Sequence, residues 1–584
     1  MALLAGCETP PRAAARDAVT EEAPPEDLGG GVEDATAWRD AEDVWRPPAD
    51  CHRETAVETR DETRPRAVRA TLAAPRPLYP PSVMKVMSQR PTVRWSLPPG
   101  VRGARVELCL DCACERVLLR QDVEGESFRP AARLPPGVVF WRLRGITERE
   151  VGERLSPTWE FVVGRHDRPT DFAYGGLRDF NGDGYDDALV GIINPPEILV
   201  FTGGPGGPSG EPQITLRTQD TLRYRADSLS FGDVNRDGIA DVAMTGAAAE
   251  NRPDGPWHQT SLIYHGLTMG LSPDPTNIIP QHGTEQSFYG YPGTIASDLN
   301  GDGFSDLARS DYPPNPEISV YLGGPGGLTW SRAVVFSGNH DDRVGYELVG
   351  VGDTNRDGYG DLLGSMWRGD GRSFAKVFYG GPFALGAQPS MLYSPRRGET
   401  YGMAIFGQVD WNADGYSDFG VGGESVIDLY RGGPGDPPLP TRTTLVPPPG
   451  ELGLDFGDNC CGLDFNGDGR LDLAMANGAW PIRDRWADGG VTSEDQYYFG
   501  GGALLIFLGT EEGVDRTPAL LLEREMGFGW KLACVGDMNG DGRDDVFVMD
   551  RTTHTLYFVE GSESVGGATA RRVSTFSRPA TRLL

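Results

Sequence analysis

Seven short stretches of the chain bring side-chain oxygens together at one spacing, Asp-x-Asn-x-Asp-Gly-x-x-Asp. The ligand positions are Asp179, Asn181, Asp183, Tyr185 and Asp187; Asp233, Asn235, Asp237, Ile239 and Asp241; Asp298, Asn300, Asp302, Phe304 and Asp306; and Asp353, Asn355, Asp357, Tyr359 and Asp361. The last three sets are Asp410, Asn412, Asp414, Tyr416 and Asp418; Asp464, Asn466, Asp468, Arg470 and Asp472; and Asp537, Asn539, Asp541, Arg543 and Asp545. Calcium takes roughly six to eight oxygens at about 2.3–2.6 Å. In a tight loop the side chains at positions 1, 3 and 5 converge on one point. The glycine at position 6 permits the turn, position 7 offers its carbonyl, and the aspartate at position 9 closes the cage. A single Asp-Gly cluster reads as an ordinary turn. Seven copies that keep every aspartate and the asparagine point to as many as seven structural Ca2+ ions.

The neighbouring sequence fixes which elements carry the loops. An EF-hand needs glutamate at position 12 and a helix on each side. Position 12 here is Val190, Met244, Arg309, Gly364, Val421, Met475 and Val548, and the flanks read as short apolar strands. Each loop therefore joins two strands of a hairpin. A third strand then ends in glycine, as in EILVFTGG (197–204) or EISVYLGG (317–324), and a fourth follows. The first positions lie 54, 65, 55, 57, 54 and 73 residues apart, the period of a repeat architecture. Four strands per repeat, seven times over 166–584, predict an all-β fold: a seven-bladed β-propeller with Ca2+ loops.

These repeats resemble FG-GAP/VCBS repeats, the blades of the integrin α-subunit propeller. The Gly-Ala-Pro of that pattern is replaced here, for instance by Gly191-Ile192-Ile193 or Gly364-Ser365-Met366. The resemblance implies that the calcium loops share one face and that the connections between second and third strands form the opposite, ligand-binding face. Trp257, His258, Tyr312, Trp367, Trp480, Trp486 and Tyr497 fall in those connections. Such a ring of aromatics suits stacking on sugar or gripping a peptide.

Residues 79–165 carry alternating or β-branched runs such as ARVELCLD (104–111) and VVFWRLRGI (138–146), punctuated by Pro and Gly. That pattern predicts a small β-sandwich. The order of Trp95, Pro135-Pro136-Gly137, Trp141 and Trp159 resembles a fibronectin type III domain, which implies a spacer. Residues 8–78 are acidic and rich in Pro and Ala, the composition of a disordered tether. At the start, Leu4-Ala5-Gly6-Cys7 resembles a bacterial lipobox, so that residues 1–7 read as the remnant of a signal and Cys7 as the lipidated residue. Cys109 is placed to pair with Cys114 or with Cys51. Cys461 and Cys534 occupy the same offset in adjacent repeats, which suits either a bridge or two buried thiols.

The formal charge of −30 argues against a nucleic-acid partner. No apolar run is long enough to span a bilayer, which leaves an N-terminal lipid as the membrane contact. The seven histidines form no metal motif, and tether, sandwich and seven blades consume the chain. The expectation is an exported, surface-held binding or adhesion protein that recognises protein or carbohydrate, rather than an enzyme. The alternatives are a propeller-based enzyme acting on polysaccharide and a structural component of an envelope complex.

Overall fold

The computed structural model describes residues 72–583 apart from short internal stretches, the longest being 281–292 and 481–500. The described residues form β-strands throughout, with a single turn of 3-10 helix at Val565–Gly567. Cys7 and residues 8–71 of the expected tether lie outside them, while its last residues, 76–78, belong to the strand Arg76–Tyr79 rather than to a disordered segment.

Two sheets make the small N-terminal sandwich. One holds Arg76–Tyr79, Val93–Ser96 and Ser127–Phe128. The other runs in the order Ala173–Gly176, Met84–Val86, Trp159–Val163, Gly137–Ile146, Gly103–Cys109, Val117–Glu124. The two sheets thus take in strands on both sides of the expected 79–165. Alternation puts Trp95, Val106, Trp141, Trp159 and Phe161 between the sheets, and Trp141 meets Trp159 edge to face at 5.9 Å. A Cys109–Cys114 disulfide closes the turn after Gly103–Cys109.

The rest of the described chain forms seven four-stranded antiparallel sheets and three two-stranded hairpins. The second sheet shows the plan: Leu222–Gly232, Asp241–Glu250, Trp257–Tyr264 and Asn277–Pro280 follow one another in space as in sequence. Gly232 pairs with Asp241, so the Asp-rich loop 233–241 is the connection between first and second strands. The first sheet is assembled differently. Ala188–Ile193, Pro196–Phe201 and Ile214–Arg217 are joined by Arg582–Leu583 from the other end of the chain, which pairs with Val190 and Gly191.

One cavity of 340 Å³ is lined by residues from all seven sheets, among them Ser230, Thr294, Gly350, Ile405, Cys461, Leu532 and Leu583. Val83 and Met84 of the sandwich also line it. Among the described residues, no helix is long and apolar enough to cross a membrane.

Candidate metal loops and the surface that covers them

The seven loops share one hydrogen-bond pattern, which divides the five expected ligands of each loop into two groups. At position 9, Asp187, Asp241, Asp306, Asp361, Asp418, Asp472 and Asp545 are all 0% exposed. One oxygen of each accepts the N–H of position 2, as Asp187 does from Phe180 at 2.9 Å and Asp418 from Trp411 at 2.9 Å. The other oxygen accepts the N–H of the glycine that ends the third strand: Gly203, Gly266, Gly323, Gly380, Gly432, Gly509 or Gly561. A side chain on that glycine has no room. A Cβ on Gly203 would stand 2.4 Å from the Asp186 carbonyl, and one on Gly380 2.2 Å from that of Gly360. Position 9 thus ties loop, second strand and third strand together, whatever else it holds.

Positions 1, 3 and 5 face the loop centre. In loop 179–187, Asp179 accepts backbone N–H groups from Gly182, Asp183 and Gly184, the Asn181 amide oxygen accepts from Asp183, and Asp183 accepts from Tyr185. The same contacts recur in loop 233–241 and again around Asp298, Asp353 and Asp410. Burial pushes the first-position carboxyls up: Asp179, Asp233, Asp410 and Asp464 to about 7, and Asp298 to about 8. In each case a neighbouring carboxylate adds to the shift. At position 9, Asp187, Asp241 and Asp545 are also held well above the carboxylate range, chiefly by burial. One oxygen of Asp464 is buried without a hydrogen-bond partner.

This donor set fits a hard divalent cation. It is all oxygen and crowded with negative charge, with positions 1 and 9 largely buried and position 5 open to water in loops such as 179–187 and 410–418. Among the described residues, no three His, Cys, Asp or Glu side chains stand ready to hold a metal by themselves. A cation in these loops would draw on the asparagine oxygen and the position-7 carbonyl as well as the carboxylates. In every loop the calcium-holding residues would be positions 1, 3, 5 and 7, with position 9 sharing its charge.

Neighbouring loops are also bonded to each other. The position-8 N–H donates to the position-1 carbonyl of the loop before it: Ala240 to Asp179, Ser305 to Asp233, Gly360 to Asp298, Ser417 to Asp353 and Asp544 to Asp464. A third-strand residue donates to the position-2 carbonyl of the preceding loop, as Gly324 does to Val234 and Gly381 to Leu299. Gly204 of the first repeat makes that same bond to Met538 of the last, at 2.8 Å.

The sandwich is seated on these loops and is not a detached spacer. Trp159 Nε1 donates to the Gly301 carbonyl at 3.2 Å, and Thr170 donates to that of Gly469 at 2.6 Å. Arg165 donates to the carbonyls of Asp183 and Gly184 and lies 3.8 Å over the Tyr185 ring. Arg236 of the second loop reaches back to the Thr158 carbonyl at 2.9 Å, and Arg76 stacks 4.2 Å over Tyr359. Lys85 Nζ stands 2.8 Å from Asp186 and 3.8 Å from Asp544, the position-8 residues of the first and last loops. Burial pulls Lys85 down, but Asp186, Tyr174 and Asp544 outweigh it and hold the ammonium well above its ordinary range.

The opposite ends of the sheets carry the other expected site. Trp257, His258, Trp367 and Trp480 fall where their strands end away from the Asp loops: Trp257 pairs with Ala249, Trp367 with Ser373 and Trp480 with Gly501. Tyr312, Trp486 and Tyr497 lie outside the described residues. Sequence reasoning missed Lys85, Asp186, Asp544 and the purpose of the strand-ending glycines. The recurrence of a glycine at the end of every third strand was the available signal.

Residues 179–244 match the FG-GAP-like repeat family. Integrin alpha-PS2 of Drosophila melanogaster is 32% identical over 166 residues, which is 24% of this chain and 12% of that protein. Integrin alpha-IIb of Mus musculus is 31% identical over 230 residues, 36% of this chain and 21% of that one. Residues 179–244 are FG-GAP-like, and part of the chain is similar to integrin α chains. The chain thus matches about a fifth or less of the length of these two relatives. A solved Lactobacillus plantarum protein overlaps 68% of this chain and 99% of its own, at 12% identity and a TM-score of 0.36.

Proposed function

We propose that this chain is a calcium-stabilised, seven-bladed β-propeller of the integrin-α type that works outside the cell by binding rather than by catalysis. The observation that carries the reading is the sevenfold loop: one all-oxygen donor set, anchored by the same two backbone bonds to position 9 in every repeat. Closure into a ring is supported by the Gly204–Met538 bond, which repeats between the first and last repeats a bond found between consecutive ones. The shared cavity supports it too. Disulfides Cys109–Cys114 and Cys461–Cys534 fit an oxidising compartment.

The sandwich, with the fibronectin type III-like strand order suggested by its sequence, covers the calcium face. The opposite end of the propeller is then the surface for a protein or glycan ligand. Leu4-Ala5-Gly6-Cys7 supports a bacterial surface lipoprotein anchored through Cys7. The test is a calcium count on the full chain together with binding to cells, matrix proteins and glycan arrays. Several ions per chain and calcium-dependent binding that is weakened by Trp257→Ala or Trp367→Ala support the reading. A chain without calcium removes it, and cleavage of polysaccharide by the purified protein redirects it to an enzyme.

A further inference from the structure

Among the described residues, loop 233–241 is roofed by a carboxylate of the sandwich, Glu160. Glu160 lies in the sandwich strand Trp159–Val163, whose Trp159, Phe161 and Val163 point into the sandwich core. Alternation turns Glu160 the other way, towards the loops. It is nonetheless only 1% exposed, and its Oε2 has no hydrogen-bond partner. Its backbone is fixed on both sides, the carbonyl accepting from Val83 at 2.9 Å and the N–H facing the Ser82 hydroxyl at 3.4 Å.

The loop beneath is the second repeat's. Burial raises the Glu160 carboxyl well above its usual range, and Asp233 and then Asp237 are the acidic neighbours that raise it further. Arg236 opposes them, but its Nη1 is spent on the Thr158 and Asp302 carbonyls and its guanidinium stacks 4.2 Å from Phe304. The Glu160 carboxyl is within hydrogen-bond reach of Asp233, while its Oε2 has no partner. Two buried carboxyl groups this close, with Asp237 near them, are costly unless a proton or a cation sits among them.

This loop also differs from the others in its access to water. Asn235 is 6% exposed and is the one motif asparagine among the seven that is buried. Positions 1, 3, 5 and 7 give about four oxygens, with the position-9 carboxylate beside them, where calcium takes roughly six to eight. In the more open loops water can supply the rest. Over loop 233–241 the sandwich excludes water and presents Glu160 in its place.

We propose that Glu160 completes the cation site of loop 233–241, so that one divalent ion is held jointly by the sandwich and the second repeat and fastens the two together. This rests on the calcium reading of the loops. It adds that one site of the seven is bipartite and couples calcium to sandwich docking.

The test compares the unaltered full chain with Glu160→Gln and Asp237→Asn, using calcium titration, melting with and without chelator, and hydrogen exchange over 158–163. The expected result is that Glu160→Gln weakens one site by about tenfold or more, through the loss of one charged ligand, and leaves the others unchanged. Its calcium-induced rise in Tm shrinks, while in chelator it melts no lower than the unaltered chain because one of two crowded buried carboxyl groups is gone and the amide can still bond Asp233. Calcium-dependent protection of 158–163 falls as well. Asp237→Asn should weaken the same site. If Asp237→Asn removes a site and Glu160→Gln leaves every affinity unchanged, the bipartite site is overturned and the calcium reading stands. An equal loss of Tm for Glu160→Gln with and without calcium makes Glu160 a packing residue and overturns it too. An unaltered chain that binds no calcium overturns both.

Discussion

The seventh sheet meets the sixth on one side and the first on the other, and the two seams differ in how they are fastened. Both use a position-8 aspartate: Asp544 accepts the N–H of Asp464 at 2.9 Å, and Asp186 accepts that of Asp537 at 2.8 Å. Both use a third-strand N–H on a position-2 carbonyl, Ser562 on Phe465 and Gly204 on Met538. The seam between sixth and seventh sheets adds chain continuity and the Cys461–Cys534 disulfide. The seam between seventh and first has neither. It joins residues more than 300 positions apart, so chain entropy opposes it. In compensation, Arg582–Leu583 crosses to the first sheet, and Lys85 lies between Asp186 and Asp544. Several of these bonds recur between neighbouring repeats, and the seam between the seventh and first sheets adds fasteners from outside the repeats.

Removing calcium should act on both seams at once and most strongly. With each site at ten times its Kd, linkage contributes about 1.4 kcal/mol per site, or about 10 kcal/mol for seven. Excess chelator should therefore lower the melting temperature steeply, as followed by circular dichroism, with no seam spared. Next in size is deletion of residues 582–584. Leu583 is 7% exposed in a core with Val190, Phe547 and Met549, so its loss should cost about 4 kcal/mol. Hydrogen exchange should report faster opening at 188–193 with 460–463 unchanged. Equal loosening of both regions would mean that the seams do not differ.

How far the sequence carried this picture depends on the kind of residue. The loops were legible because seven copies fix position and chemistry together, and the strands on either side follow the period of two. Position 9 was legible as an aspartate but not as the anchor of the third strand. Its two backbone bonds involve a glycine up to 37 residues downstream, and only the fold brings these together. Cys461 and Cys534 were legible as a possible pair through their equal offset in adjacent repeats. The docking of the sandwich was not legible. Lys85 and Glu160 sit in ordinary strand patterns, and their partners Asp186, Asp544 and Asp233 belong to another domain. Two sequence oddities pointed there: a glutamate within the apolar run Trp159–Val163, and a lysine in a chain that has only three.

The disulfide gives the third comparison. Replacing both Cys461 and Cys534 with serine frees a loop of 73 residues and should cost about 3 kcal/mol, mostly through the unfolded chain. The double change avoids leaving one thiol beside Cys460. Denaturant midpoints of oxidised wild type, reduced wild type and the double variant should place the last two together. A reduced wild type as stable as the oxidised one would show that this seam holds without help from its disulfide.

The smallest effect expected is at Lys85. Its ammonium and the two carboxylates are each 5–16% exposed at the side chain, so water screens the pair only in part. Lys85→Met leaves Asp186 and Asp544 with the buried Arg178 as their remaining counter-charge and should cost about 2 kcal/mol. Asp186→Asn alone keeps an oxygen for the Asp537 N–H and should cost less. The two changes share one interaction, so together they should cost less than their sum. A coupling of about 1 kcal/mol in that double-mutant cycle is the expected sign of a charge clamp on the closing seam. Additive effects would mean that Lys85 merely fills space, and that Arg582–Leu583 with the repeat bonds holds the seventh sheet to the first.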